Sequence, residues 1–287
     1  MYWIYYSIGA TLALGVSMSL YKMPSYKGYS SFFSTFWSNV FSAMFVILII
    51  AIVQTNDLLG LARVSWYALV WGIFFATTMV LQKLLLKRVE SNAVYPVTSS
   101  LGSVITVLLG ITLLSESITP LQGLGTAIIL LSVFLFTRKG GAFHVDSTTA
   151  LLALGIITAS TISKYVQKLG AVNDTVTHFM LWQYIGASLF ALVITYFFEK
   201  EAFRKITRLG QYWKGSALIG FFSAFGGYLI FMALSTGPLS GVYAIHPSYT
   251  IIAGIFGYLL FGEQLTTKKI TLALLSAIGV ILIKIGQ

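Results

Sequence analysis

The chain has 287 residues and no cysteine, five prolines, and eight acidic residues against eighteen basic ones. The missing cysteines exclude disulfides, thiolate metal sites and thiol nucleophiles. Charge is scarce: 9% of residues are charged, against roughly 25% in soluble domains, while 57% are hydrophobic and the mean hydropathy is +0.87. Catalytic signatures are missing as well. There is no H-E-x-x-H, no G-x-S-x-G and no G-x-x-x-x-G-K-[ST], and His144, His178 and His246 lie on separate segments without metal spacing. No catalytic residue, metal or cofactor is therefore expected, and energy for any work must come from gradients. A net charge of +10 would point to nucleic acid in a soluble chain, but here the basic residues lie in short connections between apolar runs, the pattern of membrane orientation.

What is present is a series of apolar runs from Trp3 to Ile285. Cutting at polar clusters predicts helices at 2–21, 31–53, 65–86, 92–115, 119–137, 148–168, 175–198, 215–235, 240–262 and 267–285, each near the ~20 residues that cross a ~30 Å hydrocarbon core. The alternation of a transmembrane barrel is missing, and helices satisfy their own backbone groups in lipid. The first run lacks a basic n-region and reads as a retained helix. The fold class is an all-α membrane protein with ten transmembrane helices and no separate soluble domain.

The ten segments read as five used twice. Gly110, Leu113, Glu116 and Thr119 recur as Gly257, Leu260, Glu263 and Thr266, each pair 147 apart (257 − 110). Phe74-Phe75 and Phe221-Phe222 keep that offset, Gly9 and Lys22 match Gly155 and Lys168 at 146, and Trp37 matches Trp182 at 145. The division is 1–139 for the first repeat and 140–287 for the second. Five helices are an odd number, so the second copy enters from the opposite side and the repeats are inverted. The charges agree. Connections after odd helices hold Lys22, Lys27, Lys87, Arg88, Arg138, Lys139, Lys200, Arg204, Lys205, Arg208, Lys214, Lys268 and Lys269, thirteen basic residues, whereas the other side holds Arg63, Lys168 and Lys284. By the positive-inside rule the odd connections are cytoplasmic and both termini external, in a multi-pass protein of the cell membrane.

A duplicated five-helix unit whose fourth helix ends in L-L-S-E-S-I-T or L-F-G-E-Q-L-T resembles the EamA-type members of the drug/metabolite transporter superfamily, over essentially the whole chain. The resemblance implies a ten-helix inverted-repeat transporter with a central cavity opening alternately to each side, exporting amino acids or other small metabolites. Small four-helix relatives carry a cation-binding glutamate in their first helix, but the matching region here, GATLALGVSMS, has no acid.

Single residues refine this. Glu116 and Glu263 follow the last apolar turn and precede a threonine placed to cap the next helix, so helix-end capping is their expected role rather than proton transfer. The remaining acids also fall in connections, which leaves a cationic substrate no counter-ion. Lys83 and Lys164 are the basic residues inside helices. Lys83, beside Lys87 and Arg88, is expected to run its stem to the cytoplasmic interface. Lys164 lies among Thr158, Ser160, Thr161, Ser163 and Gln167, and either does likewise or contacts an anion in the cavity. His246-Pro247 interrupts the ninth helix and frees a carbonyl near Tyr243, an arrangement tolerated in a membrane where protein or a cavity satisfies it. The matching positions in the first copy fall near Ser99 and Ser100. Trp37, Trp182, Tyr95, Tyr243 and Tyr228 sit in repeat-equivalent or proline-adjacent places. The substrate-binding candidates are thus Lys164, His246, Tyr243, Tyr95, Ser99, Ser163, Trp37, Trp182 and Tyr228. Small residues such as Gly226-Gly227 are expected to let helices approach.

The expected function is a secondary transporter, an exporter of zwitterionic or anionic metabolites with amino acids first, working by alternating access. Its partners are a small-molecule substrate, the lipid bilayer and a coupling proton or ion; no nucleic acid is expected, and the chain works as a monomer. Two alternatives stay open: an aromatic-lined exporter of amphipathic drugs or cations, and a membrane scaffold or lipid-handling protein that transports nothing.

Overall fold

A chain so poor in charge can satisfy its backbone only internally, and in the structure, a computed structural model, every regular element among the described residues is a helix; these residues are 2–21, 23, 30–53, 63–86, 88, 91–137, 146–204, 213–262 and 266–286. In order these are α1 (Trp3–Leu20), α2 (Ser31–Val53), α3 (Trp66–Leu86), α4 (Ser91–Leu113), α5 (Pro120–Thr137), α6 (Ser147–Asn173), α7 (Val176–Phe198), the short α8 (Lys200–Arg204), α9 (Trp213–Thr236), α10 (Leu239–Ile245), a 3₁₀ turn at His246–Ser248, α11 (Tyr249–Phe261) and α12 (Thr267–Ile285). Each predicted apolar segment coincides with one of these. The sixth runs five residues past its expected end to Asn173, and the ninth is broken where His246-Pro247 predicts. Among the described residues, seven helical stretches are long and apolar enough to cross a membrane: Trp3–Leu20, Ser31–Ile52, Trp66–Leu86, Ser147–Asn173, Val176–Phe198, Trp213–Thr236 and Leu239–Leu260.

The molecule is apolar outside and hydroxyl-rich inside. Leu12, Ile52, Leu151, Leu154, Phe197, Leu259 and Leu274 are exposed, a surface that invites aggregation in water but suits lipid. Inside, many serines and threonines bond back to their own helices, as Thr11 does to the Ser7 carbonyl at 2.7 Å and Ser38 to Ser34 at 2.7 Å, so burying those hydroxyls leaves their donors met.

Helices pack mainly across the two halves of the chain. The contacts are α1 with α9 and α3 with α6, α2 with α9 and α3 with α7, α1 with α11 and α4 with α6, and then α2 with α7, α4 with α10, and α5 with α12. Exchanging the halves reproduces these main contacts; the smaller ones of α6 with α9, α4 with α5 and α5 with α10 have no counterpart of like extent. Close approach is bought by glycine: a Cβ on Gly279 would lie 2.7 Å from the Gly125 carbonyl, and one on Gly226 2.6 Å from Leu14, so both positions exclude a side chain as expected of such small residues.

Polar contacts join the connections at one end of the bundle. Glu116 accepts from the Leu239 N–H at 2.6 Å and the Ser240 N–H at 2.8 Å. It therefore caps α10, in the opposite half, and not its own next helix as the sequence suggests; capping of α5 falls to Thr119, which exchanges hydrogen bonds with Gln122. The reason is room, for Gly110 packs against both Glu116 and Ser240. Lys168 donates to the carbonyls of Leu234 and Gly237, each at 2.8 Å, closing the C-terminus of α9. The α9–α10 turn thus carries a cation at one helix C-terminus and an anion at the next N-terminus, both favoured by the helix dipoles. Nearby, Asp174 is bonded by Ser65, the N-cap of α3, and pairs with His178, whose Nε2 meets the Arg63 carbonyl. At the N-terminus of α6, the Thr149 hydrogen bonds hold the Asp146 carboxyl below the usual range. Thr266 caps α12 as expected; Glu263 lies outside the described residues.

Glu116→Ala removes two charge-assisted bonds and leaves two N–H groups of α10 without acceptors, a loss of about 2–4 kcal/mol. The apparent unfolding temperature in detergent should fall well below that of wild type, and Glu116→Gln, which keeps one acceptor oxygen, should fall less. Equal melting of all three proteins would contradict the capping role.

Candidate functional site

The break between α10 and α11 is a short 3₁₀ turn, and the side chains around it converge. The 3₁₀ turn closes with the Tyr249 N–H on the His246 and Pro247 carbonyls, and Thr250 donates to the Pro247 carbonyl at 2.7 Å. This geometry turns Tyr243, His246 and Tyr249 to one side, with the His246 ring edge-on between the two tyrosines at centroid separations of 5.4 and 4.9 Å. They form one wall of a cavity of about 100 Å³ between the halves.

The opposite wall is α6. Ser160, Ser163, Lys164 and Gln167 face the cavity from successive turns, the spacing that puts residues on one helix face. Gln167 accepts from the Tyr243 hydroxyl at 2.8 Å, which ties α6 to α10. The Lys164 Nζ lies 5.2 Å from the centre of the Tyr243 ring and close to Gly102 of α4, where a Cβ would stand 3.5 Å from it. From α4, Thr98 and Ser99 complete that side, the Tyr249 hydroxyl facing Ser99 without an ordinary hydrogen bond. The remaining surface is Leu14 and Met18 of α1, Trp71, Phe75, Thr78, Met79 and Gln82 of α3, Ile156 of α6, Tyr184 of α7, and Ser223, Gly227 and Ile230 of α9.

Among the described lining residues there are one ammonium, one imidazole, six hydroxyl amino acids besides the three tyrosines, two amides and no carboxylate. Several buried polar atoms on or beside the wall have no partner, including Ser99 Oγ, Ser100 Oγ, the Gln82 carbonyl and the Gln183 amide. In a low-dielectric interior unmet polar atoms are costly, and a polar ligand would meet them. The cavity can hold a small molecule with an acceptor toward Lys164, and its volume is below the roughly 300–1,000 Å³ typical of drug-sized ligands.

Of the residues chosen from sequence, the structure brings Lys164, His246, Tyr243, Ser99 and Ser163 to this cavity. His246 and Ser99 are 147 positions apart (246 − 99), the repeat offset, and face the same space. Trp37, Trp182 and Tyr228 do not line it. Trp37 packs on Phe36 at 5.2 Å, and Trp182 and Tyr228 pack against the apolar core. Tyr95 falls on α4, but its side chain lies outside the described residues. Sequence reasoning passed over Trp71, Phe75, Gln82, Tyr184, Ser223 and Tyr249. Of these only Phe75 had a signal, the repeated Phe-Phe pair; the rest needed the helix faces.

Lys83 does not reach the interface. It is fully buried, bonded to Ser34 and Thr35, because α2 folds its first two turns over the end of α3 and offers hydroxyls before the chain reaches open surface.

The model of the EamA-like transporter family matches residues 1–138 and 147–285, one match to each half. A solved structure described as "Crystal structure of protein" aligns over 96% of this chain and 96% of its own, with a TM-score of 0.74 and 13% sequence identity. At that identity the likeness speaks to the fold alone. No curated protein sequence matches the chain.

The natural absence of cysteine makes the sign of the cavity directly measurable. In Ser163→Cys, a small anionic thiosulfonate should react faster, relative to a free thiol, than a cationic one of equal size. Adding Lys164→Met should abolish the preference. Faster labelling by the cation would mean that negative charge governs the site.

Proposed function

The chain belongs to the EamA-like transporter family, a branch of the drug/metabolite transporter superfamily whose members are membrane transporters, and from that premise we propose that it exports small zwitterionic or anionic metabolites, amino acids first among them. The observation that carries this reading is the Lys164 ammonium on the wall of a cavity between the halves, with no carboxylate among the described residues around it. A substrate carboxylate there gains a charge-assisted bond away from bulk water. The α-amino group of a zwitterion would find hydroxyls and the tyrosine faces.

The swap-symmetric pairing of helices supports two inverted repeats, 1–139 and 140–287, ten crossings, and rocking of one half against the other around the cavity. The thirteen basic residues on odd connections support a cell-membrane protein with external termini, which a reporter fused after Gln287 reads directly.

One observation favours a second reading, export of amphipathic cations: Trp71, Phe75, Tyr184, Tyr243 and Tyr249 make much of the wall aromatic. Magnitudes decide against it. A cation–π contact is worth about 0.5–2 kcal/mol, whereas a substrate cation at about 5 Å from the Lys164 ammonium is repelled by about 3 kcal/mol at an effective dielectric of about 20. Lys164 already occupies the face of Tyr243.

The test is uptake by purified protein in liposomes, at matched reconstitution, of labelled amino acids, dicarboxylates and amphipathic cations. Lys164→Met should abolish transport of the preferred substrate while the protein stays folded, and His246→Ala should weaken it less. Wild-type rates in Lys164→Met, or a wild-type preference for cations, would transfer the reading to the aromatic cation exporter.

A further inference from the structure

Lys83 is a buried ionisable group that the cavity does not use. It lies in the last turn of α3, wholly shielded from solvent. Its Nζ donates to Ser34 Oγ at 3.1 Å and Thr35 Oγ1 at 3.0 Å and stands 5.2 Å from the centre of the Tyr21 ring. Three elements therefore meet at one amine: α3 supplies it, the start of α2 supplies the hydroxyls, and the residue that closes α1 supplies the ring.

The titratable group facing Lys83 from the end of α1 is Tyr21, and α2 presents hydroxyls alone. α6 and α7, which also pack on α3, meet it through Leu152, Ile156, Ala187 and Ala191. No described carboxylate pairs with Lys83. Glu199 is held by Ser30 at the start of α2, and Lys164 is on the cavity wall. An intramembrane cation without a carboxylate among the described residues around it is costly.

The hydroxyls distinguish two ways of filling the site. Thr35 gives its proton to the Ser31 carbonyl at 2.8 Å, so toward Lys83 it can only accept. The Ser34 hydroxyl gives its proton to no described acceptor and is free to rotate. An ammonium bonds both oxygens and points its third N–H toward the Tyr21 ring. A neutral amine keeps the bond to Thr35 and accepts the Ser34 proton. Both protonation states keep a bond to each hydroxyl, and the amine is the one that also takes up the Ser34 proton.

The site also borders the cavity. Gln82, the preceding residue, and Met79, one turn earlier, line it. On the other flank the buried Tyr21 hydroxyl lies beside Ser17 and Ser223 with no bond of ordinary geometry. Ser17 and Ser223 share a hydrogen bond of 2.7 Å, and Ser223 is on the cavity wall.

We propose that Lys83 is a proton-binding site, loaded and emptied through the cavity that it borders at Met79 and Gln82, whose proton couples transport by this chain to a proton gradient. One proton moves: the ammonium releases it to the cavity and becomes an amine, and the amine takes one up to complete the cycle. The coupling role rests on the transporter reading above; the proton site itself does not.

The experiment has two arms. In the first, full-length protein carrying ¹⁵Nζ-lysine is followed by NMR over roughly pH 5 to 10, a span bounded by ordinary side-chain ranges. One resonance, missing from both Lys83→Met and Lys83→Arg, should pass from the ammonium to the amine position inside that span; a resonance that stays ammonium throughout overturns the proton site. In the second, liposomes are assayed with labelled L-alanine, L-phenylalanine and L-glutamate, both in exchange and under an imposed proton gradient. Lys83→Met and Lys83→Arg, fixed neutral and fixed charged, should keep exchange at equal inside and outside pH and lose gradient-driven accumulation to the level of empty liposomes. Accumulation with the wild-type pH response in either variant, or joint loss of exchange and accumulation in variants that still melt cooperatively, overturns the coupling role. If wild type exchanges none of the three probes, the amino-acid reading fails and the lysine resonance alone decides the site.

Discussion

The carboxylate of Glu116 reaches across the molecule to the first two N–H groups of α10, and much of the architecture depends on that contact. α10 has seven residues and ends at a proline-interrupted turn, too short to hold its own direction. Its N-terminus is fixed by an anion from the other half and the preceding helix is closed by Lys168, so the turn presents Tyr243, His246 and Tyr249 in one orientation. The cavity follows. Without the cap, the wall facing α6 would be held by the Tyr243–Gln167 bond and apolar packing alone.

The two lysines inside the bundle show how one residue type serves two settings. Lys164 faces a space with unmet polar atoms and lies over a ring that belongs to the opposite wall. Its charge is available to whatever enters. Lys83 is enclosed by hydroxyls that complete its coordination. It has no room for a ligand larger than a proton. The common constraint is that the described interior of this chain lacks carboxylates, so each cation must be stabilised by hydroxyls, rings or a visiting anion.

Much of the fold was legible because lipid leaves few choices. Apolar length sets the helices, and His246-Pro247 breaks the ninth segment where its lost N–H requires. Lys164 was legible because hydroxyls and an amide recur beside it on one helical face. Long-range partners were not. Nothing local marks Glu116 as a cap for residues 123 and 124 positions away, or Ser34 and Thr35 as acceptors for Lys83, 49 and 48 positions away. Trp37 and Trp182 occupy matching places in the two copies, but a matched position does not say which side of its helix faces the cavity. Trp71, Tyr184 and Tyr249 were invisible for the complementary reason: large rings are common in this chain, and only packing separates wall from core.

The central claim is that the cavity recognises a carboxylate through Lys164. It is tested most directly by thermal shift of the purified protein with a matched series: an amino acid, its carboxamide, and the amine left when the carboxyl group is removed. At a hundred times its dissociation constant a ligand stabilises the folded state by about 2.7 kcal/mol. The account predicts a rise in melting temperature with the amino acid alone, and none with any member of the series in Lys164→Met. Stabilisation of wild type by the carboxamide or the amine, or an undiminished shift by the amino acid in Lys164→Met, would contradict it.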